Sequence, residues 1–188
     1  MSDMLNSALP GAGFAGFVTV NEAGLRGMIT LRGDLSSPVL AGVLKDAMGL
    51  DMPAQRRVTQ AGTAFAAWMS PDELLLMLPY DQAGAMAQKL AGALAGEFAT
   101  VANVSDARAV FTLQGAAVFD ALAKICPVDF SDFAEGDIRR TRAAQVAAAL
   151  WVSGADQVTL VCFRSVAQYM FDLLCAAAAP GSEPALYA

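Results

Sequence analysis

The 188-residue sequence contains no histidine. That absence excludes a Ser-His-Asp or Cys-His nucleophilic site and removes the usual nitrogen ligand of most zinc and non-haem iron centres. Acid–base chemistry near neutral pH is left to a carboxylate or to Lys45, Lys89 or Lys124 with a displaced pKa. Cysteine is scarce too: Cys126, Cys162 and Cys175 are odd in number and form no C-x-x-C pair. That pattern fits reduced, buried thiols in a cytoplasm rather than disulfides or a zinc centre. No G-x-G-x-x-G or G-x-x-x-x-G-K-[ST] loop is present to cradle phosphates. No Lys or Arg precedes Arg26, so no basic region opens a secretory signal. The uncharged stretch MLNSALPGAGFAGFVTVN is broken by Pro10, Gly11, Gly13 and Gly16 and is too polar for a membrane span, so the expected location is cytoplasmic.

Against these absences stands a hydrophobic content of 56%, enough to bury a large core, with only 16% charged residues. The net charge of -6 opposes attraction to nucleic acid or to anionic lipid, both of which demand a basic surface. The expectation is a single domain over 1–188, with no nucleic-acid or membrane partner.

The chain reads as an internal repeat. MITLRGDLSSPVLAGVLKDAM, a strand, a glycine and a helix, recurs as VFTLQGAAVFDALAKIC, with Thr30-Leu31-x-Gly33 matched by Thr112-Leu113-x-Gly115. Arg56-Arg57 recurs as Arg139-Arg140, and the hairpin turn at Ser70 recurs at Ser153-Gly154. Three matches in one register predict a duplicated unit, about 27–96 and about 101–178, each strand, helix, hairpin, helix. Ser37 caps the first helix with Pro38 at its first position, and Val39, Leu40, Val43, Leu44 and Ala47 form its apolar face. Asp81 is the expected cap of the next helix, with Met86, Leu90 and Leu94 inward. Phe119, Leu122 and Ile125 give the third stripe. Ser165 is the expected cap of the last helix, with Val166, Tyr169, Met170, Leu173 and Leu174 inward. Hairpins covered by helices imply an α+β fold with antiparallel sheet and two pseudo-symmetric halves.

Several motifs carry a family resemblance. WMSPDELLLMLP at 68–79 resembles the W-x-x-PDEWLL hairpin of the sarcosine oxidase gamma subunit family. NVSDAR, LQG, the PVDF and GDIRRTR run, and FRSVAQYMFDLL resemble its later motifs in order. The resemblance spans roughly 27 to 178, with Leu74 standing where the family commonly has Trp. It implies a fold similar to the folate-binding domain of glycine-cleavage aminomethyltransferase. That wider family carries a D-x-S segment whose Asp handles the folate and aminomethyl group. Here the segment is Asn103-Val104-Ser105, and an amide cannot act as a carboxylate base. The resemblance therefore implies a fold kept and a site lost.

It further implies a heterotetramer with alpha, beta and delta subunits that oxidises sarcosine to glycine and hydrogen peroxide, tetrahydrofolate accepting the one-carbon unit. The larger subunits would hold FAD, FMN and NAD and the smallest would hold zinc. This chain would bind no cofactor alone, supply no catalytic or metal residue, and brace the complex. The alternatives are a stand-alone tetrahydrofolate-binding module and an autonomous transferase or hydrolase using Cys or a carboxylate, which a low-pKa thiolate at Cys126 or Cys162 would mark. Arg139, Arg140 and Arg142, with Arg56 and Arg57 at the matching place in the first repeat, are candidates for contact with a folate tail or a partner carboxylate. The competing reading makes them a solvated or subunit-facing loop neutralised by Asp132, Glu135 and Asp137. Arg164 could clamp a partner carboxylate or close a strand end, and Asp106 and Arg108 read as a local ion pair. Pro71, Asp72 and Glu73 read as turn chemistry. The start GAGFAGF, with Phe14 and Phe17, and the tail PGSEPALYA lie outside the repeats and are candidates for subunit contact or loose ends.

Overall fold

Turn residues punctuate the apolar runs, and the runs between them become strands. The computed structural model describes residues 5–187. Two short strands come first, β1 (Gly13–Ala15) and β2 (Thr19–Glu22). Next are β3 (Gly27–Arg32), helix α1 (Pro38–Met48) and a meander of β4 (Val58–Ala61), β5 (Ala64–Ser70) and β6 (Glu73–Leu78). Helix α2 (Ala83–Ala93) and β7 (Thr100–Asn103) complete this half. The order then returns as β8 (Arg108–Gln114), α3 (Val118–Ala123), β9 (Ile138–Ala143), β10 (Val146–Gly154), β11 (Gln157–Phe163) and α4 (Ala167–Ala177). The chain divides into two compact units, Arg26–Ser105 and the remainder on either side of it.

Within Arg26–Ser105 the sheet order is β4-β5-β6-β3-β7, and every neighbouring pair is antiparallel. Strand β6 is buried at all its positions, and from Leu74 onward it reads as a continuous apolar run rather than an alternation. Leu74, Leu76 and Leu78 meet Ile29 and Leu31 of β3, Leu40, Leu44 and Leu90 of the helices and Leu94 at the end of α2 in one core. Burying each such leucine contributes about 1.5–3 kcal/mol. Gly27 stands where a Cβ would lie 2.6 Å from the Pro79 carbonyl oxygen and 2.8 Å from that of Leu78, so no larger residue fits there.

In the other unit the order is β1-β2-β8-β11-β10-β9. Leaving β1 aside, the two sheets share one plan: β2 flanks β8 as β7 flanks β3, and β8 lies beside the hairpin β10–β11 as β3 lies beside β5–β6. The GAGFAGF start is thus sheet: Gly13 to Ala15 pair with Asn21 to Thr19, and β2 pairs with β8. The core gathers Val20, Phe111, Leu113, Leu122, Leu160 and Met170 among others, with Phe14 and Phe17 packed against it. The tail returns to this unit as well. Leu186 and Tyr187 donate their amides to one oxygen of Asp120 at 2.7 and 3.1 Å, and the Tyr187 ring meets Phe119 and Phe130 edge-on. Asp120 is 1% exposed, and its second oxygen has no partner among the described residues.

Several local expectations hold, and others are corrected. Ser37 accepts a hydrogen bond from the Leu40 amide with Pro38 in the first turn, and the Ser70 hairpin closes as expected. Asp81 and Ser165 are not caps. Each lies inside a 3₁₀ turn, Tyr80–Gln82 or Arg164–Val166, whose backbone carbonyls satisfy the first amides of α2 and α4 without a side chain. Val39 and Tyr169 fall outside their apolar faces and are 47% and 49% exposed. Each hairpin is extended by a further strand, β4 or β9, which the strand, helix, hairpin, helix order does not include.

Leu76→Ala should lower unfolding free energy by about 2–5 kcal/mol through the cavity left, and Gly27→Ala by about 1–3 kcal/mol through overpacking. Equilibrium denaturation in urea measures both. An unchanged midpoint for Gly27→Ala would show that the β3 and β6 backbones separate readily at this point.

Candidate functional site

The Asn103-Val104-Ser105 segment lies at the end of β7, where its side chains close the chain on itself. The Asn103 carboxamide oxygen accepts from the Ser105 hydroxyl at 2.6 Å and from its amide at 3.1 Å. The buried Ser105 oxygen in turn accepts from the Met28 amide at 2.9 Å. An Asx turn of this kind needs an acceptor oxygen, which Asn supplies as well as Asp. At this position the chain has an amide in place of a carboxylate, and its oxygen closes the turn.

Arg139, Arg140, Arg142 and Arg164 do not converge. Arg139, Arg140 and Arg142 lie on β9, an edge strand rather than the expected loop, because Ile138 and Ala143 are buried and the strand pairs with β10 from Ala143↔Val146 to Ile138↔Trp151. Side chains alternate along a strand, so Arg139 points to the face opposite Arg140 and Arg142. Arg139 donates to the Ile138 carbonyl at 2.9 Å, and its guanidinium lies 5.2 Å from the centre of the Phe133 ring. Arg140 and Arg142 are exposed. Arg164 donates to the carbonyls of Asn6 and Ser7 at 2.9 and 3.0 Å, holding the amino-terminal segment. Arg56 and Arg57 belong to the other unit, Arg56 in a turn at φ 60. Arg108 lies 4.3 Å from the centre of the Phe163 ring, its partner across β8 and β11.

The cysteines are poor nucleophiles. Burial pushes the Cys126 thiol up to about 12. Burial also raises Cys162, to about 11, the nearby Arg108 charge opposing it. Burial raises Cys175 too, with the Asp172 charge adding to it. Among the described residues no three His, Cys, Asp or Glu side chains converge to hold a metal ion, and no helix is long and apolar enough to cross a membrane.

One cleft, of about 680 Å³, opens in the Arg26–Ser105 unit between the Gly33 turn, the Pro71-Asp72 turn and residues 97–100. The L-x-G glycine explains its shape. A Cβ on Gly33 would lie 3.1 Å from Leu40 and 3.3 Å from Ala99, so glycine lets residues 98–99 approach the end of β3. The Gly33 amide also donates to the Asp72 carbonyl at 3.0 Å, tying the hairpin turn to the same point. Arg32 bonds Glu73 at 2.8 Å, its partner across the strands, and lies 4.0 Å from Asp72; these contacts raise its pKa, the Glu73 hydrogen bond most. Hydrogen bonds from the Ser36 hydroxyl and amide hold the Asp34 carboxyl below the usual carboxylate range. The sequence reading assigned Pro71, Asp72 and Glu73 to the turn and missed this cleft, whose one signal was the glycine in Leu31-x-Gly33.

Two antiparallel sheets, each with covering helices, define an α+β scaffold seen elsewhere. Aminomethyltransferase T of the glycine cleavage system from Bartonella henselae has a similar fold, with a TM-score of 0.59 at 14% identity over 79% of this chain and 43% of that one. A chain of the heterotetrameric sarcosine oxidase from Corynebacterium sp. U-96, in complex with pyrrole 2-carboxylate, superposes with a TM-score of 0.78 at 27% identity over 88% of this chain and 86% of that chain. Among curated proteins none matches. The family model described as sarcosine oxidase, gamma subunit family matches residues 32–180, and the chain belongs to that family.

The raised thiol pKa values fix a pH dependence. The folded thiols keep their protons above the ordinary value of 9.0 while the unfolded ones lose theirs. Their contribution is therefore complete below pH 9 and lost as pH climbs towards 11 to 12. Urea melts from pH 8 to 11 should show stability falling above pH 9, less steeply in Cys126→Ala and Cys162→Ala than in the parent. A thiol reagent that labels either cysteine rapidly in the native protein at pH 7 would contradict this burial.

Ser105→Ala should cost about 1–3 kcal/mol by leaving the Met28 amide without its acceptor, whereas Asn103→Asp should change stability little because the acceptor oxygen persists. Thermal melts of the two variants test the contrast. Equal losses would mean that the amide group of Asn103, rather than its oxygen, holds the turn.

Proposed function

We propose that this chain is the noncatalytic gamma subunit of a heterotetrameric sarcosine oxidase, bracing alpha, beta and delta subunits that carry out oxidative demethylation. The observation that carries this reading is the Asn103–Ser105 turn. Where a one-carbon transferase of this fold would use a carboxylate, Asn103 spends its oxygen on Ser105. Membership of the gamma subunit family over residues 32–180 supports the partner set. Cys126 and Cys162, both buried and with raised pKa values, do not favour an autonomous thiolate enzyme. Nor does the arginine geometry favour a folate pocket within this chain. Arg139 donates to the Ile138 carbonyl and Arg164 to those of Asn6 and Ser7, and an anion contact through Arg140 and Arg142 would be made with a partner at the surface.

On this reading FAD, FMN and NAD reside on the larger subunits, zinc on the smallest, and tetrahydrofolate receives the one-carbon unit outside this chain. The chain fits none of these groups by its own residues: it has no histidine to attach a flavin or ligate zinc and no glycine-rich phosphate loop. Its place in a cytoplasmic complex belongs to the same proposal.

The test is the native mass and absorbance spectrum of the assembly purified through a tag on this chain from its own host. A yellow assembly of four different chains that produces peroxide from sarcosine is expected. A colourless monomer or homodimer would overturn the reading.

A further inference from the structure

Phe98 is fully exposed, at 104% of its reference surface, although it stands at the wall of a preformed cleft. Its ring does not share in the core of its own unit, whereas Ala99 beside it packs there. The walls are fixed by backbone contacts: the Gly33 amide on the Asp72 carbonyl, and the Ala99 amide on the Glu97 carbonyl at 2.9 Å. An exposed aromatic side chain on a rigid concave surface has little ordering entropy to lose on binding, which is the usual setting of an interface anchor.

The charge around the cleft selects the occupant. Among the described residues that line it, Asp34, Asp72 and Glu97 stand with a single cation, Arg32, and Glu73 already holds that guanidinium. The surplus is negative on a chain whose net charge is -6. A second copy docking here about a twofold axis would set the same carboxylates against one another, so self-association is disfavoured. Among the described lining residues no buried polar side chain converges on a central point as a small-molecule site requires.

We infer that this cleft seats a segment of a partner subunit that lays an apolar or aromatic side chain against Phe98 and carries lysine or arginine beside it. The inference rests on the gamma-subunit reading above and names the surface through which that bracing is done. The apolar contact supplies the anchor, and Asp34, Asp72 and Glu97 set its register through the flanking cations.

The experiment uses the whole complex, captured through a tag on this chain. Phe98→Asp and Glu97→Lys should each reduce retention of the other subunits by about tenfold or more. Each isolated variant should melt within about 2 °C of the parent, because both side chains are exposed. Phe98→p-benzoylphenylalanine, irradiated in the assembled complex, should crosslink to a peptide of another subunit that contains an apolar residue next to Lys or Arg. Parent-like retention in both variants would overturn the inference. So would a crosslink to a second copy of this chain, to an acidic segment or to no subunit at all. A parent chain that captures no other subunit would instead sink the gamma-subunit reading itself, which keeps the two failures apart.

Discussion

Antiparallel pairing of β8 with β2, and of β3 with β7, is the constraint on which both units depend. Strands β3 and β8 each carry core side chains and a full set of backbone donors and acceptors, and each has a hairpin strand on one side only. Without β7 and β2 they would be edges, with apolar side chains beside unsatisfied amides. The strand that completes the later sheet comes from the beginning of the chain, and the segment Arg26–Ser105 is inserted between β2 and its partner β8. The amino-terminal glycines follow from this. Gly16 sits where a Cβ would collide with the Ala178 carbonyl oxygen, which accepts from the Phe17 amide.

The same economy governs the polar groups. Asn103 and Ser105 close the end of β7, Arg164 holds the amino-terminal segment, and Asp120 holds the tail. Each residue type could do chemistry elsewhere, and here each stabilises a piece of chain that has few apolar contacts of its own. What is left outward is an acidic cleft with an exposed phenylalanine and an edge strand bearing Arg140 and Arg142. On these outward surfaces the charge is unevenly shared, negative at the cleft and positive along β9.

The sequence made some elements legible and concealed others for definite reasons. The Ser70 hairpin and the Ser37-Pro38 start of α1 were legible because local chemistry alone decides them: a turn preset by proline, a hydroxyl cap, a long apolar strand. The strand β9 was not, because an edge strand with Arg140 and Arg142 on its open face looks like a charged loop until its partner β10 is known. Asp81 and Ser165 have the residue types of helix caps, yet a 3₁₀ turn supplies the hydrogen bonds instead. Asp120 was invisible as a buried carboxylate, since its two donors are 66 and 67 residues away.

By itself the sequence determined that the protein has no histidine chemistry, that its three cysteines form no C-x-x-C pair, that it is α+β, and that its motifs follow those of the gamma subunit family. These properties depend on residue identity, local propensity and short-range order, all of which a linear chain displays. Only the tertiary structure decided that β2 and β7 complete the sheets, that the arginines part to opposite faces or bind backbone carbonyls, and that Gly33, Asp72 and Phe98 frame one cleft. Those outcomes turn on which distant backbones pair and how closely they approach, and hydrogen bonds between residues far apart in sequence leave no pattern in either segment alone.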